Sequence, residues 1–154
     1  MKKLSIENGI TLTALAISII VIIILASVTA YTAKDEITES KDSKAKAELE
    51  MVQHAVLEQY TKYKTTKNTD ELQGEIISAD EVKNLTGVTE LPDTTNIANA
   101  EYRKLDADSL KKIGIKSTTD DIYIVNYATG EVFNATLKST SDGTPLYLKS
   151  IAIE

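Results

Sequence analysis

The polar and apolar positions of this chain change rhythm more than once. Over residues 10–30, 16 of 21 positions are apolar and none is charged. Glu7 is the last charge before Lys34, which leaves 26 uncharged residues between them. At about 1.5 Å per residue, a helix over 10–30 is roughly 32 Å long, enough to cross a hydrocarbon core of about 30 Å. Its centre, Ile17-Ser18-Ile19-Ile20-Val21-Ile22-Ile23-Ile24-Leu25, is almost wholly aliphatic. β-Branched residues lower helix propensity in water. In lipid that matters less, because every backbone N–H and C=O needs an internal partner and a helix provides one. A buried core helix is the soluble alternative, but so small a head cannot enclose it. The pattern predicts a transmembrane helix over 10–33.

The second rhythm is one-sided. Ala45, Leu49, Val52, Val56 and Tyr63 recur at helical spacing. Leu57 and Tyr60 widen the stripe, and Gln59 interrupts it. This predicts an amphipathic helix that packs one face onto the protein's own sheet. A coiled coil is the rival, with only about two to three heptads and a polar break to support it. No Gly occurs between Gly9 and Gly74 and no Pro before Pro92, so nothing stops the helix at a membrane surface. Residues 34–64 are expected to form a helical stalk, exposed and charged over 34–46. One helix over 10–64 is roughly 80 Å long.

Beyond residue 64 the elements are short. Thr65-Thr66-Lys67-Asn68-Thr69-Asp70 is a polar loop, and Ser78 with Glu81 matches a capping box before Val82, Leu85 and the stop at Gly87. Residues 91–99 are linker-like. Tyr102-Arg103-Lys104-Leu105 suits a short strand, and Asp106 caps a second short helix through Leu110 and Ile113 to Gly114. Ile122-Tyr123-Ile124-Val125-Asn126-Tyr127 and Glu131-Val132-Phe133-Asn134-Ala135 form a hairpin around Ala128-Thr129-Gly130. Asp142-Gly143 marks another turn, and residues 146–153 alternate as a last strand. The fold class is α+β: a long N-terminal helix on a small antiparallel sheet, with 65–154 as the head. Packing the head on the helix supplies a core that some 90 residues alone would struggle to build.

Composition narrows the chemistry. Cysteine is absent, which excludes disulfides, zinc thiolates and a thiol nucleophile, and His54 is the single histidine. The net charge is −6. Residues 1–64 hold 8 basic and 8 acidic side chains, whereas residues 65–154 hold 9 and 15, so the head carries all of it. An acidic head is a poor match to phosphate backbones, and no nucleic-acid partner is expected. Lys2 and Lys3 flank the apolar stretch and favour a cytoplasmic N-terminus, which puts everything after residue 33 outside. A cleaved signal peptide is the alternative, with small residues for cleavage at Ala26-Ser27-Val28 or Val28-Thr29-Ala30, although its apolar region is usually only about 7–15 residues.

The leader 1–9 is short, basic and polar and ends in Gly9, and the apolar run Ile10-Thr11-Leu12-Thr13-Ala14-Leu15 begins at once. This junction resembles the N-terminus of prepilins of the type IV pilin and type II secretion pseudopilin class, most of all the pilin-like proteins of Gram-positive bacteria. The run Tyr123-Ile124-Val125-Asn126-Tyr127, then Thr129-Gly130-Glu131-Val132, is similar to heads of that group. The resemblance is carried mainly by residues 1–33. It implies cleavage between Gly9 and Ile10 by a membrane-embedded prepilin peptidase and methylation of the new Ile10 amine. It also implies storage in the cytoplasmic membrane, then assembly into a cell-surface filament with other pilin subunits. The apolar residues Ile17, Ile20, Ile24 and Leu25 would pack on the same helix of neighbours. Ala14 departs from the pattern: many members carry Glu there, a carboxylate thought to neutralise a neighbour's amine.

No enzymatic motif emerges. His54 has no partner constellation and suits a helix surface or interface. Asp106 with Asp108, or Asp120 with Asp121, lacks calcium-loop spacing. Ser139, Thr140 and Ser141 lie in a turn without triad context. No phosphate-binding loop or dinucleotide fingerprint is present, and no cofactor is expected. Tyr123, Tyr127 and Tyr147 should divide between the sheet core and its surface. Two functions fit: a structural filament subunit, minor because Ala14 replaces the carboxylate, or a signal-anchored exported binding module that never polymerises.

Overall fold

The computed structural model describes residues 12–116 and 120–149. Helix α1 spans Leu12–Thr66, 55 residues in one element. The chain divides into two units, Met1–Ser40 and Lys41–Glu154. Among the described residues no helix is long and apolar enough to cross a membrane. Gly9, Ile10 and Thr11 lie outside the described residues, as do the side chains of residues 24–36. The structure supplies the long helix of the expectation; the expected span over 10–33 falls in large part on residues or side chains outside those described.

Within the second unit, α1 buries one stripe: Ala45, Leu49, Val52, Ala55, Val56 and Tyr60. They follow the 3.6-residue period, so one helix face stays on the core over about four turns. Tyr63 packs at its edge. Leu57 is only half-buried, whereas Gln59 is buried, so the apparent break in the pattern lies inside the stripe. Gln53 is buried as well; its Nε2 donates to the Gly130 carbonyl at 2.7 Å and to that of Lys149 at 3.2 Å. A buried amide is tolerable only when paired, and here it ties the helix to a turn and to the last strand.

Five strands follow as an antiparallel meander in the order β1-β2-β3-β4-β5: β1 Glu75–Ile77, β2 Tyr102–Leu105, β3 Tyr123–Asn126, β4 Glu131–Asn134 and β5 Tyr147–Leu148. The register sets Leu105 against Tyr123 and Val125 against Val132 on one face. It sets Ile124 against Phe133, and Phe133 against Tyr147, on the other. The first face meets the α1 stripe together with Leu110 and Ile113 of α3, Ala107–Lys112, and its C-terminal cap. The second is covered by Val82 and Leu85 of α2, Ala79–Thr86, then Val88 and Leu91. Covered on both sides, β3 and β4 are buried at every position, the apolar Tyr123, Ile124, Val125, Val132 and Phe133 together with the polar Asn126, Glu131 and Asn134 at their ends.

Local chemistry sets the joints. Ser78 accepts from the Glu81 N–H and opens α2, and Asp106 accepts from the Ser109 N–H at 2.9 Å and opens α3. Strand β1 was not evident in the sequence; it is three residues at a sheet edge, with Glu75 and Ile76 exposed. Gly74 feeds it at φ 99, and a Cβ there would come within 2.7 Å of the Lys104 carbonyl oxygen. The expected loop 65–70 contains a 3-10 turn at Thr69–Glu71, capped by Asn68. The expected strand over 146–153 is Tyr147–Leu148 in the described residues; residues 150–154 lie outside them.

Candidate functional site

The segment from Leu15 to Ile23 is the most unusual surface described. Leu15, Ile17, Ile19, Ile20, Val21, Ile22 and Ile23 are each between 47 and 64% exposed. Residues 19–23 are five consecutive apolar positions, which at 100° per residue pass right round a helix, with Ser18 the one polar position described between Ile17 and Ile23. Ile17 and Ile20, three apart, share one face. Ile24 and Leu25 lie within α1, but their side chains fall outside the described residues, as do the cleavage residues Gly9 and Ile10. A helix surface this densely aliphatic calls for an apolar medium or apolar neighbours.

The head holds a different feature, which sequence patterning did not reveal. Glu131 is fully buried on the α2-covered face of the sheet. Its Oε2 accepts from the Tyr102 hydroxyl at 3.0 Å and the Thr129 hydroxyl at 2.9 Å, and its Oε1 from the Tyr147 hydroxyl at 2.7 Å. Three donors on one carboxylate offset much of the cost of burying it. Burial and the Glu131 charge push the Tyr102 hydroxyl above its ordinary range, and burial with the same carboxylate does so for Tyr147. Next to it, Asn126 accepts from the Ala128 and Thr129 N–H groups, while its buried Nδ2 has no partner. The Phe133 and Tyr147 rings stack 4.3 Å apart beside the cluster. Thr129 is local to Glu131, whereas Tyr102 and Tyr147 are brought to it by the folded register. This is a structural polar core: its hydroxyls point at a carboxylate and not at an open cleft.

The hydroxyls singled out in the sequence serve as loop ties. Ser141 donates through its N–H, at 3.1 Å, and its hydroxyl to the Asp42 carboxylate, joining the β4–β5 loop to α1. Thr140 donates its hydroxyl to Asp142, whose carboxylate also accepts from the Thr144 N–H at 3.0 Å; these bonds hold the Asp142 carboxyl down at about 2. Asp106 caps α3. His54 is exposed on α1. Tyr123 and Tyr127 are buried and Tyr147 half-buried. Burial raises Tyr127 to about 12; its hydroxyl donates to the Gln73 carbonyl at 3.1 Å. Among the described residues no group of three or more His, Asp or Glu side chains is placed to hold a metal ion.

Two open clefts flank the helices. One, of about 600 Å³, lies between the 3-10 turn, β2 and α3. Its Arg103 is occupied, donating to the Leu72 and Gly74 carbonyls at 2.8 and 3.2 Å, and its Lys104 lies 3.9 Å from Glu75. The other, of about 540 Å³, runs between α1 and the turn after α3 and includes His54. No protein-family model, curated protein or solved structure matches this chain.

Proposed function

We propose that this chain is a structural subunit, a minor pilin or pseudopilin, of a type IV pilus-like or type II secretion-like filament. In this reading prepilin peptidase removes residues 1–9 and the amine of Ile10 is methylated. Residues 10–33 hold the subunit in the cytoplasmic membrane with its N-terminus inside until assembly, and residues 34–154 lie outside. The observation that carries the reading is α1 itself. A single 55-residue helix carries an exposed, almost wholly apolar surface over residues 15–23 and ends as a one-sided stripe under its own sheet. The first part calls for apolar partners, and the basic leader ending in Gly9 stands directly before it. Lipid tails are as apolar as isoleucine, so assembly gains little from hydrophobicity and rests on close packing of residues such as Ile17, Ile20, Ile24 and Leu25. The head's polar groups bond to one another and to its own loops, as Tyr102 does to Glu131 and Ser141 to Asp42.

Ala14 favours a second reading, a signal-anchored module that never polymerises, because no carboxylate is present there to pair a neighbour's ammonium. At a filament tip no subunit above needs that pairing, which is why the first reading specifies a minor subunit. Quantitative mass spectrometry of sheared surface filaments separates the two. The proposal expects this chain at a small fraction of the major subunit. Its dominance would overturn the minor role, and its absence would favour the anchored module.

A further inference from the structure

We infer that the cleft between α1 and the turn after α3 binds a short extended peptide of another protein, one with an apolar side chain next to a carboxylate, and that the Gln59 amide pairs with its backbone. The site belongs to the head alone, so it stands whether the chain is a filament subunit or an anchored module.

Two buried glutamines on α1 carry the argument. Gln53 and Gln59 are each 9% exposed. Gln53 is paired within the fold, its Nε2 donating to the Gly130 and Lys149 carbonyls. The Gln59 amide makes no hydrogen bond to a described residue. Burying an amide without a partner costs free energy, and folded chains seldom leave one so. Nor is this amide sealed in. Asn126 Nδ2 is the one side-chain polar atom, among the described residues, that is both fully buried and unpaired. Gln59 lines the cleft of about 540 Å³ and opens onto it. Its carbonyl oxygen and NH2 group are left for a ligand.

The lining narrows what that ligand is. A peptide group presents one N–H and one C=O, the complement of a carboxamide. In a helix both are taken by the helix itself, so the occupant is an extended segment. Met51, 53% exposed, and the half-buried Ile115 line the same cleft and give an apolar side chain a surface to lie on. Of the lysines there, Lys62 is bridged to Glu58 at 2.8 Å, whereas Lys112 forms no salt bridge with a described carboxylate. Two lysines against one glutamate give the described lining a net +1 in a chain of net −6, with the exposed His54 also present. That surplus charge selects an acidic side chain. It is too small for a nucleic-acid backbone. Among the described residues no Tyr or Phe lines the cleft, so a sugar finds no ring to stack on.

The test uses the full chain in detergent micelles, with labelled methionine and glutamine, and nuclear magnetic resonance. The probe is the capped tetrapeptide acetyl-Ala-Leu-Glu-Ala-amide, too short to form a stable helix. The Met51 methyl and Gln59 side-chain amide signals should shift saturably as the peptide is added. Followed at Met51, Gln59→Leu should weaken binding roughly tenfold, through peptide groups left unpaired. Lys112→Gln should weaken it about threefold, as for an exposed charge. A peptide with Gln in place of Glu should match that loss on the native chain and lose nothing further on Lys112→Gln. Followed at Gln59, Met51→Ser should also weaken binding with the thermal midpoint unchanged. The midpoint of Gln59→Leu should equal or exceed the native one, because leucine in the stripe needs no partner. No saturable shift overturns the inference, and so does binding that Gln59→Leu leaves intact. A lower midpoint in Gln59→Leu makes the amide part of the fold and overturns it as well. Saturable shifts with methyl glucoside and none with the peptide reject the peptide and assign the cleft to a sugar. None of these outcomes bears on the filament reading, which stands or falls on the chain's processing and its presence in sheared filaments.

Discussion

Helix α1 meets the burial problem twice, with opposite results. Over residues 45–60 the apolar positions fall on one face, and the protein's own sheet, α3 and the β3–β4 turn cover them until Val52 and Val56 are almost wholly removed from water. Over residues 15–23 the described apolar side chains, from Leu15 to Ile23, are each between 47 and 64% exposed, with Ser18 the polar one among them. Periodicity therefore separates two kinds of hydrophobicity in one helix: a stripe finds its partner within the chain, whereas a full cylinder calls for a medium or for other molecules.

The largest predicted effect follows from that contrast. Val56→Asp places an unpaired carboxylate in the core, costing about 4 kcal/mol or more, and should unfold the head in a thermal or urea melt. Ile20→Asp should leave the head's melt unchanged and abolish membrane partition and assembly. If Ile20→Asp destabilised the head instead, the two parts of α1 would not be the independent surfaces described above. On the other side of the sheet, Phe133→Ala removes a buried ring stacked on Tyr147 and should cost about 3–5 kcal/mol in the same melt.

A smaller effect concerns pH. The folded-state values of Tyr102, Tyr123, Tyr127 and Tyr147 are all raised, burial being the first cause in each, and that of Tyr127 reaches about 12. A raised value favours the proton in the folded state. The stability these groups contribute is intact below about pH 10, where the unfolded tyrosine titrates, and is lost as pH rises through their folded values. The urea midpoint should therefore fall steadily from pH 10 to 12, and Tyr127→Phe should flatten that fall. A flat profile in the native chain would contradict the buried positions. The smallest effect is expected at the tie between the β4–β5 loop and α1. Ser141→Ala removes an exposed hydroxyl bond to Asp42 and leaves the N–H bond, so it should cost about 0.5–1 kcal/mol and speed amide exchange locally in the loop.

Much of the head was legible because its signals are local. Ser78, Asp106 and Gly87 mark helix ends through bonds within four residues, and the turn ending at Gly130 joins two strands adjacent in sequence. What escaped the sequence depends on distant partners. Strand β1 is a short edge strand whose pairing with β2 reaches across 27 residues or so. Gln59 looks like a break in the stripe but is buried within it, and Gln53, off the expected stripe, is buried against the Gly130 and Lys149 carbonyls that accept from it. Glu131 looks like a hairpin surface charge until Tyr102, Thr129 and Tyr147 converge on it. The cleavage junction is the reverse case: Gly9 and Ile10 are plain in the sequence and lie outside the described residues.

A filament subunit of this class must be cut at that junction, and the mass of the mature N-terminus, measured on chain isolated from cells that hold the peptidase, tests the proposal most directly. The predicted N-terminal peptide begins at Ile10 with a methylated amine. A peptide beginning at Met1, or one beginning near residues 28–31, contradicts the filament-subunit reading.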